Sequence, residues 1–465
     1  MRGREPYDLA IIGAGSAGFS AAITAAELGA RVALIGYGTI GGTCVNTGCI
    51  PSKNLIRAME PLHRAAAATR FGGIRAEARV EAVEFGKDAL VSSLRQAKYI
   101  DLLPAYDAVA YFEGRARLSD GGVAVNGSVL KADKVIITTG ASPALPPIPG
   151  IERVPYLTSP TALELDRLPR SLLVIGGGYI GCELGQLFAR AGVIVTIVDI
   201  VPILSAGEPE ILAALAGYLR AEGMVLRGGV RPTAIREAAC GVALDILADG
   251  RGETIEAEQV LVSIGRRPNA AGLGLEEAGI ELLPNGGVKV DDYMRTTRGG
   301  IYAAGDVTGR DQFVYMAAYG ARIAAQNALN GDNRRYDTTA MPSVVFTDPQ
   351  VASVGLTEAQ ARAQGLAVKT SVLPLDQVPR ALAARDARGL FKLVAEAGSG
   401  KLLGAHLLAP EGADSIQTAA LAIKGGLTVE ELAETVFPYL TTVEGPKLAA
   451  QSFAKDVAKL SCCAG

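Results

Sequence analysis

The clearest pattern in the chain is a set of short, uninterrupted apolar runs that stop at glycine. Leu9-Ala-Ile-Ile12 stops at Gly13, and Leu172-Leu-Val-Ile175 stops at Gly176. Short apolar runs bounded by turn formers predict strands. Each run continues as Gly-x-Gly-x-x-Gly, with Gly13, Gly15 and Gly18 in the first copy and Gly176, Gly178 and Gly181 in the second. A helical stretch follows each, then a strand over 31–35 or 193–198. The glycines permit a tight turn and bring backbone N–H groups to a pyrophosphate at a helix N-terminus. One such match is weak, but two in the same strand–turn–helix context predict two dinucleotide sites.

Between and beyond the copies the texture changes. A strand over 134–138 leads through Gly140 into a proline-rich linker over 142–149. A strand over 260–264 runs into Gly265-Arg-Arg-Pro268, and Gly300-Ile-Tyr-Ala-Ala-Gly-Asp306 reads as a strand ending in Gly-Asp. After about residue 340, strands over 343–346, 391–394 and 402–408 mix with helices over 357–364 and 415–424. The expected fold is α/β, with two Rossmann-like dinucleotide-binding domains and a C-terminal α+β dimerisation domain. The expected boundaries are 1–148 for the first domain, 149–268 for the second, 269–338 for a return to the first, and 339–465 for the interface domain.

Composition narrows the partners. The chain has 465 residues, 56 of them glycine and none tryptophan, and its net charge of -3 supplies no cationic excess for nucleic acid. Residues 9–26 carry no charge, but glycine and serine break the stretch, so neither a membrane helix nor a signal peptide is expected. A cytoplasmic location is expected. Six cysteines are too few for a disulfide scaffold in a chain of this length, and four of them are clustered.

The first cluster is Gly41-Gly-Thr-Cys44-Val-Asn-Thr-Gly-Cys49-Ile-Pro-Ser-Lys53. A helix is expected to begin near Cys44. Its N-terminus would depress a thiol pKa, and Lys53 adds positive charge. Cysteines at this spacing can close a small ring. The segment resembles the redox-active motif of the class I flavoprotein disulfide oxidoreductases, and the resemblance runs from Tyr7 to Gly465. It implies FAD in the first unit and NAD(P) in the second. Family matches place Gly13, Gly15, Gly18, Gly38, Thr43 and Ala116 around the FAD phosphates, ribose and adenine. They place Asp306 and Val314 near the ribityl chain and flavin, with Gly140 also on the cofactor. Gly176, Gly178, Gly181 and Gly265 fall to the second nucleotide. Lys53 is expected beside the flavin, paired with Glu183.

Two departures from the disulfide reductases shift the implied substrate. Their His-Pro-x-x-x-Glu pattern, supplied across the dimer, provides a histidine acid–base. Here the segment is Phe437-Pro-Tyr439-Leu-Thr-Thr-Val-Glu444, and the chain's two histidines, His63 and His406, lie elsewhere. His63 is expected in a helix and His406 at a strand end, both structural or solvated. The tail ends Leu460-Ser-Cys462-Cys463-Ala-Gly465, a vicinal thiol pair suited to a soft metal ion. This tail, Tyr439, Tyr179 and the segments over 346–350 and 376–382 are similar to the mercuric reductase members of the family. The resemblance implies a homodimer that reduces thiol-bound Hg(II) to Hg(0) in mercury detoxification. Cys462 and Cys463 of the partner subunit would capture the ion and pass it to Cys44 and Cys49. Cys49 is expected nearest the flavin, with Cys44 the exchanging thiol. Such enzymes often carry an N-terminal Cys-x-x-Cys domain, which is not expected before Tyr7. The rivals are a lipoamide dehydrogenase-like disulfide reductase and a flavoprotein that sequesters or senses soft metals without turnover.

The repeat permits one internal comparison. A ribose-binding acid falls about 20 residues after the first glycine of a fingerprint. In the second copy that residue is Asp199, whose charge repels a 2′-phosphate, so NADH is expected over NADPH. Arg266 and Arg267 are not expected at the phosphate. In the first copy the position is Gly36, and the FAD ribose must be held less well or by another group.

Overall fold

The computed structural model describes residues 6–71, 86–456 and 459. Cys462 and Cys463 lie outside them. The first sheet has seven strands, in the order Val109–Glu113, Val32–Gly36, Tyr7–Ile12, Ser128–Ile137, Gly122–Val125, Ala116–Ser119, with Ile301–Ala303 also against Ser128–Ile137. Its central pairings are parallel. Leu9, Ile11 and Leu34 enter the core on one face, while Ala10, Ile12, Ala33 and Ile35 enter that on the other. Parallel strands covered on both faces read as continuous apolar runs, which is why the pattern was so plain.

Helix Ser16–Glu27 packs on helix Val314–Asn330 through small residues, including Ala17, Ala21, Ala25, Ala317, Ala321 and Ala324. Ser20 Oγ donates to the Ala318 carbonyl at 2.8 Å. This contact ties a late segment of the chain to the first fingerprint. The uncharged stretch over 9–26 is thus a strand, a turn and a helix. Among the described residues, no helix is long and apolar enough to cross a membrane.

The second unit has a parallel sheet, Val225–Arg227, Ile194–Val198, Ser171–Ile175, Gln259–Val262, and an antiparallel sheet of Arg231–Ala238, Gly241–Ala248 and Arg251–Ala257. The expected linker over 142–149 is not wholly irregular. Its start belongs to strand Ala141–Pro143, which pairs antiparallel with Arg266–Pro268, so the two connections between the nucleotide units run side by side. The last sheet has five antiparallel strands, Pro342–Val345, Gln350–Gly355, Leu402–Ala409, Leu390–Glu396 and Val368–Pro374. Helices Gly412–Gly425 and Gly445–Gln451 pack on it. His406 lies inside Leu402–Ala409, fully buried, and does not end a strand as expected.

Candidate active site

Both fingerprints use one backbone device. Gly13 has φ 122°, and a Cβ there would collide with the Thr138 carbonyl; Gly176 has φ 105°, and a Cβ would strike the backbone of Ser263 and Ile264. Thr138 Oγ1 donates to the carbonyls of Ile12 and Gly13 at 3.0 and 3.1 Å. Ser263 Oγ donates to those of Ile175 and Gly176 at 3.3 and 2.9 Å. A hydroxyl from the neighbouring strand therefore fixes each turn. Gly18 and Gly181 pack against their own turns. A Cβ on either would strike the carbonyl of Gly13 or Gly176, so they permit helix-to-strand packing. Gly15 and Gly178 cap helices Ser16–Glu27 and Tyr179–Arg190, whose first turns carry no acid. Their free N–H groups and dipoles suit an anion.

A cavity of about 1770 Å³ runs past both fingerprints. It is lined on the first side by Gly13, Gly15, Gly38, Thr43, Ala116, Gly140, Asp306 and Val314. Gly176, Gly178, Asp199 and Gly265 line the second side, and Cys44, Cys49, Lys53, Tyr179 and Glu183 lie between. Two glycine cradles opening on one large cavity fit two dinucleotides.

A helix does begin near Cys44, as expected, and a second begins at Cys49. Cys44 sits within the short helix Gly42–Asn46, and the long helix Cys49–Ala67 begins at Cys49. Gly48 makes the break, packing against Thr43, where a Cβ would come within 2.9 Å of the Thr43 carbonyl oxygen. The N-terminus of the long helix thus falls on Cys49, with Cys44 in the first turn of the short one. The Cys44 thiol, hydrogen-bonded to Cys49 and partly buried, is held protonated, well above the usual thiol range. That same bond, opposed by burial and aided by Lys53, lowers Cys49 to about 7. Near neutral pH Cys44 is a thiol, and Cys49 is about half thiolate.

Lys53 Nζ lies 2.6 Å from Glu183 Oε2. Glu183 Oε1 accepts from the Phe346 backbone N–H at 2.9 Å, and the ammonium sits 4.8 Å from the Phe346 ring centroid. This anchors a charge pair from the first and second units on the third. Tyr179, 37% exposed, lies 5.9 Å from the Phe313 ring, which stacks on Tyr315 at 5.4 Å. Phe313 and Tyr315 escape the sequence because single aromatics carry no motif, whereas Phe346 opens the segment over 346–350 already singled out by resemblance. Arg266, weighed above only against a phosphate, lines the cavity beside the first unit. It bonds the Ala141 carbonyl and lies 3.7 Å from Asp306, whose carboxyl burial pushes up.

Asp199 follows strand Ile194–Val198. Its Oδ2 accepts from the Gly177 N–H at 2.6 Å, and its Oδ1 from the Val201 N–H at 3.2 Å. Tyr439 and Glu444 do not line this cavity. Tyr439 is 46% exposed, whereas Glu444 is buried, its carboxyl raised by burial, with Oε2 lacking a hydrogen-bond partner among the described residues. Neither histidine lines the cavity. His63 lies 4.0 Å from Glu222 and is lowered by burial, and His406 Nε2 meets the Leu356 carbonyl at 3.1 Å.

Two nucleotide cradles flanking a dithiol define a pyridine-nucleotide flavoprotein, and sequence comparison agrees. Residues 7–325 match the pyridine nucleotide-disulphide oxidoreductase family and residues 341–450 its dimerisation domain, so the chain belongs to that family. FAD and NAD(P)H are its cofactors. Within it, the chain is 47% identical to the mercuric reductase of Streptomyces lividans, covering all of both chains. It is also 47% identical to the mercuric reductase of Lysinibacillus sphaericus, over 99% of this chain and 85% of that protein. Its fold is similar to the HOCl-induced flavoprotein disulfide reductase RclA from Escherichia coli (TM-score 0.84, 31% identity, 97% of this chain and 100% of that one). It is also similar to LpdA from Mycobacterium tuberculosis (TM-score 0.85, 30% identity, 96% and 99%).

Proposed function

We propose that the chain is a mercury(II) reductase that converts thiol-bound Hg(II) to Hg(0). The observation that carries this is identity of 47% along the entire length of a mercuric reductase. The site chemistry supports it. Cys44 and Cys49 offer two sulfur ligands, which suit a soft, two-coordinate ion. Cys49 binds as the thiolate, and Cys44 releases its proton as it binds. The first fingerprint would hold FAD and the second NAD(P)H, which together would supply the electron pair. Lys53, held by Glu183, keeps positive charge beside the dithiol, and Tyr179 covers the second cradle. Hg(0) has no affinity for thiolate and leaves. The two thiols that carry the ion leave as Cys44 and Cys49 replace them, one as thiolate and one with the proton that Cys44 releases, so the exchange needs no histidine acid.

The active site is shared across a homodimer in this reading, with Tyr439, Glu444, Cys462 and Cys463 serving the partner's dithiol. The exposed apolar residues Val436, Tyr439 and Leu440 support an interface there. Asp199 supports NADH over NADPH, since its negative charge stands where a 2′-phosphate would arrive. Arg266, drawn to Asp306, gives that phosphate no counter-charge. The chain acts in the cytoplasm in this reading.

The test supplies NADH with Hg(II) in excess thiol, or with lipoamide, and follows nucleotide oxidation and mercury vapour. Mercury vapour without lipoamide turnover is expected. Lipoamide turnover without vapour rejects the proposal, and nucleotide-independent binding of Hg(II) favours sequestration. Replacing Cys462 and Cys463 by Ala should slow turnover of thiol-bound Hg(II) and spare flavin reduction. Unchanged turnover rejects the role of the tail.

A further inference from the structure

The first nucleotide site has no carboxylate at residue 36, and another side chain stands in that space. Gly36 ends strand Val32–Gly36 at the position where the second site carries Asp199. A Cβ at Gly36 would meet the Tyr111 hydroxyl oxygen at 2.5 Å, the Ala14 Cβ at 2.8 Å and Tyr111 Cε2 at 2.9 Å. Tyr111 comes from the adjacent strand Val109–Glu113, paired opposite Leu34. The glycine and the tyrosine are therefore reciprocal, since any side chain at residue 36 needs the volume the phenol fills.

Three further observations point the phenol at a ligand. Tyr111 lines the cavity together with Tyr37, Gly114, Arg115 and Ala116. Among the described residues its hydroxyl has no hydrogen-bond partner, although Tyr99, nearby in the same core, bonds Ser16 at 3.2 Å. Burial raises the Tyr111 pKa, so the group stays a neutral phenol able to donate one bond and accept another. Around it, Arg115 stacks 4.4 Å from the Tyr37 ring centroid and donates to its hydroxyl at 2.8 Å, closing the rim. The one rival acid is Glu113, the strand partner of Gly36, but its side chain is exposed and does not line the cavity.

We propose that Tyr111 is the positioning residue for the adenosine ribose of the first dinucleotide, its hydroxyl making the hydrogen bond that a residue-36 carboxylate would make. This rests on the reading that the first fingerprint holds FAD. The exchange replaces a charged acceptor by a neutral donor–acceptor, so the first site reads the ribose without the charge that the second site carries.

The experiment measures release of FAD from the holoenzyme into an excess of 5-deaza-FAD, followed by flavin fluorescence. Tyr111→Phe keeps the ring that fills the residue-36 space, so packing is preserved while the hydroxyl is lost. Release should become roughly tenfold faster, as expected for one lost hydrogen bond. Holoenzymes carrying FAD with a 2′-deoxy or 3′-deoxy adenosine ribose separate recognition from packing. The native chain should release one of these about tenfold faster than FAD, and Tyr111→Phe should release that analogue and FAD alike. The double variant Gly36→Glu, Tyr111→Ala should regain slow release. Unchanged release from Tyr111→Phe, undiminished discrimination between FAD and its deoxy analogues, or the tenfold effect appearing in Glu113→Gln would each overturn the inference. A chain that purifies without flavin overturns the FAD reading itself.

Discussion

The depressed pKa of Cys49 gives a test of the dithiol that needs neither mercury nor turnover. Cys49 falls from the ordinary thiol value of 9.0 to about 7, and the largest cause is the hydrogen bond from Cys44, ahead of the charge of Lys53. Burial works in the opposite direction. Two units correspond to about 2.7 kcal/mol of preference for the thiolate. Cys44→Ala removes the donor and leaves the burial, so the titration should move up to at least the ordinary value. At pH 7 the thiolate fraction would then fall from about one half to about one hundredth, and alkylation at Cys49 would slow by about fifty-fold. The sign is fixed by the reactive form, which is lost as pH falls through the pKa. The assay is the pH profile of iodoacetamide modification of the Cys49 peptide in the reduced protein, read by mass spectrometry. Lys53→Met should also raise the midpoint, but by less. A Cys44→Ala midpoint that stays near 7, or a larger shift in Lys53→Met, would refute the reasoning.

Three further outcomes follow from geometry. Gly18→Ala places a methyl against the Gly13 carbonyl, and overpacking of this kind costs about 1–3 kcal/mol, so the variant should purify with reduced flavin content and a lower Tm. Lys392 Nζ bonds Glu208 at 2.8 Å, Glu210 at 2.9 Å and Glu358 at 3.1 Å, with Lys392 and Glu208 both buried. Lys392→Met strands the Glu208 charge and should destabilise by about 3–5 kcal/mol, seen as a lower denaturation midpoint, whereas the same substitution at exposed Lys459 should leave it unchanged. Asp199→Asn should lower kcat/KM for NADH and raise that for NADPH, and a preference that does not move toward NADPH removes Asp199 from cofactor selection.

Much of this protein is legible from local sequence because its chemistry sits at element ends. The runs before Gly13 and Gly176 are continuous, since both faces of each parallel sheet are covered. The fingerprints are visible because a positive φ and a helix packed on a carbonyl admit glycine at fixed spacing. The cysteine spacing and the absent carboxylate at Gly36 are likewise one-dimensional facts. What the sequence could not decide is which thiol carries the charge. That depends on the hydrogen bond between Cys44 and Cys49 and on the nearness of Lys53, which the folded turn at Gly48 sets. Nor could it bring Phe346 to Glu183, Arg266 to Asp306, or Tyr111 to the space above Gly36, because each contact joins residues far apart in the chain and depends on strand order and domain packing. Local pattern names the turns and the redox pair; only the folded sheets decide which neighbours tune them.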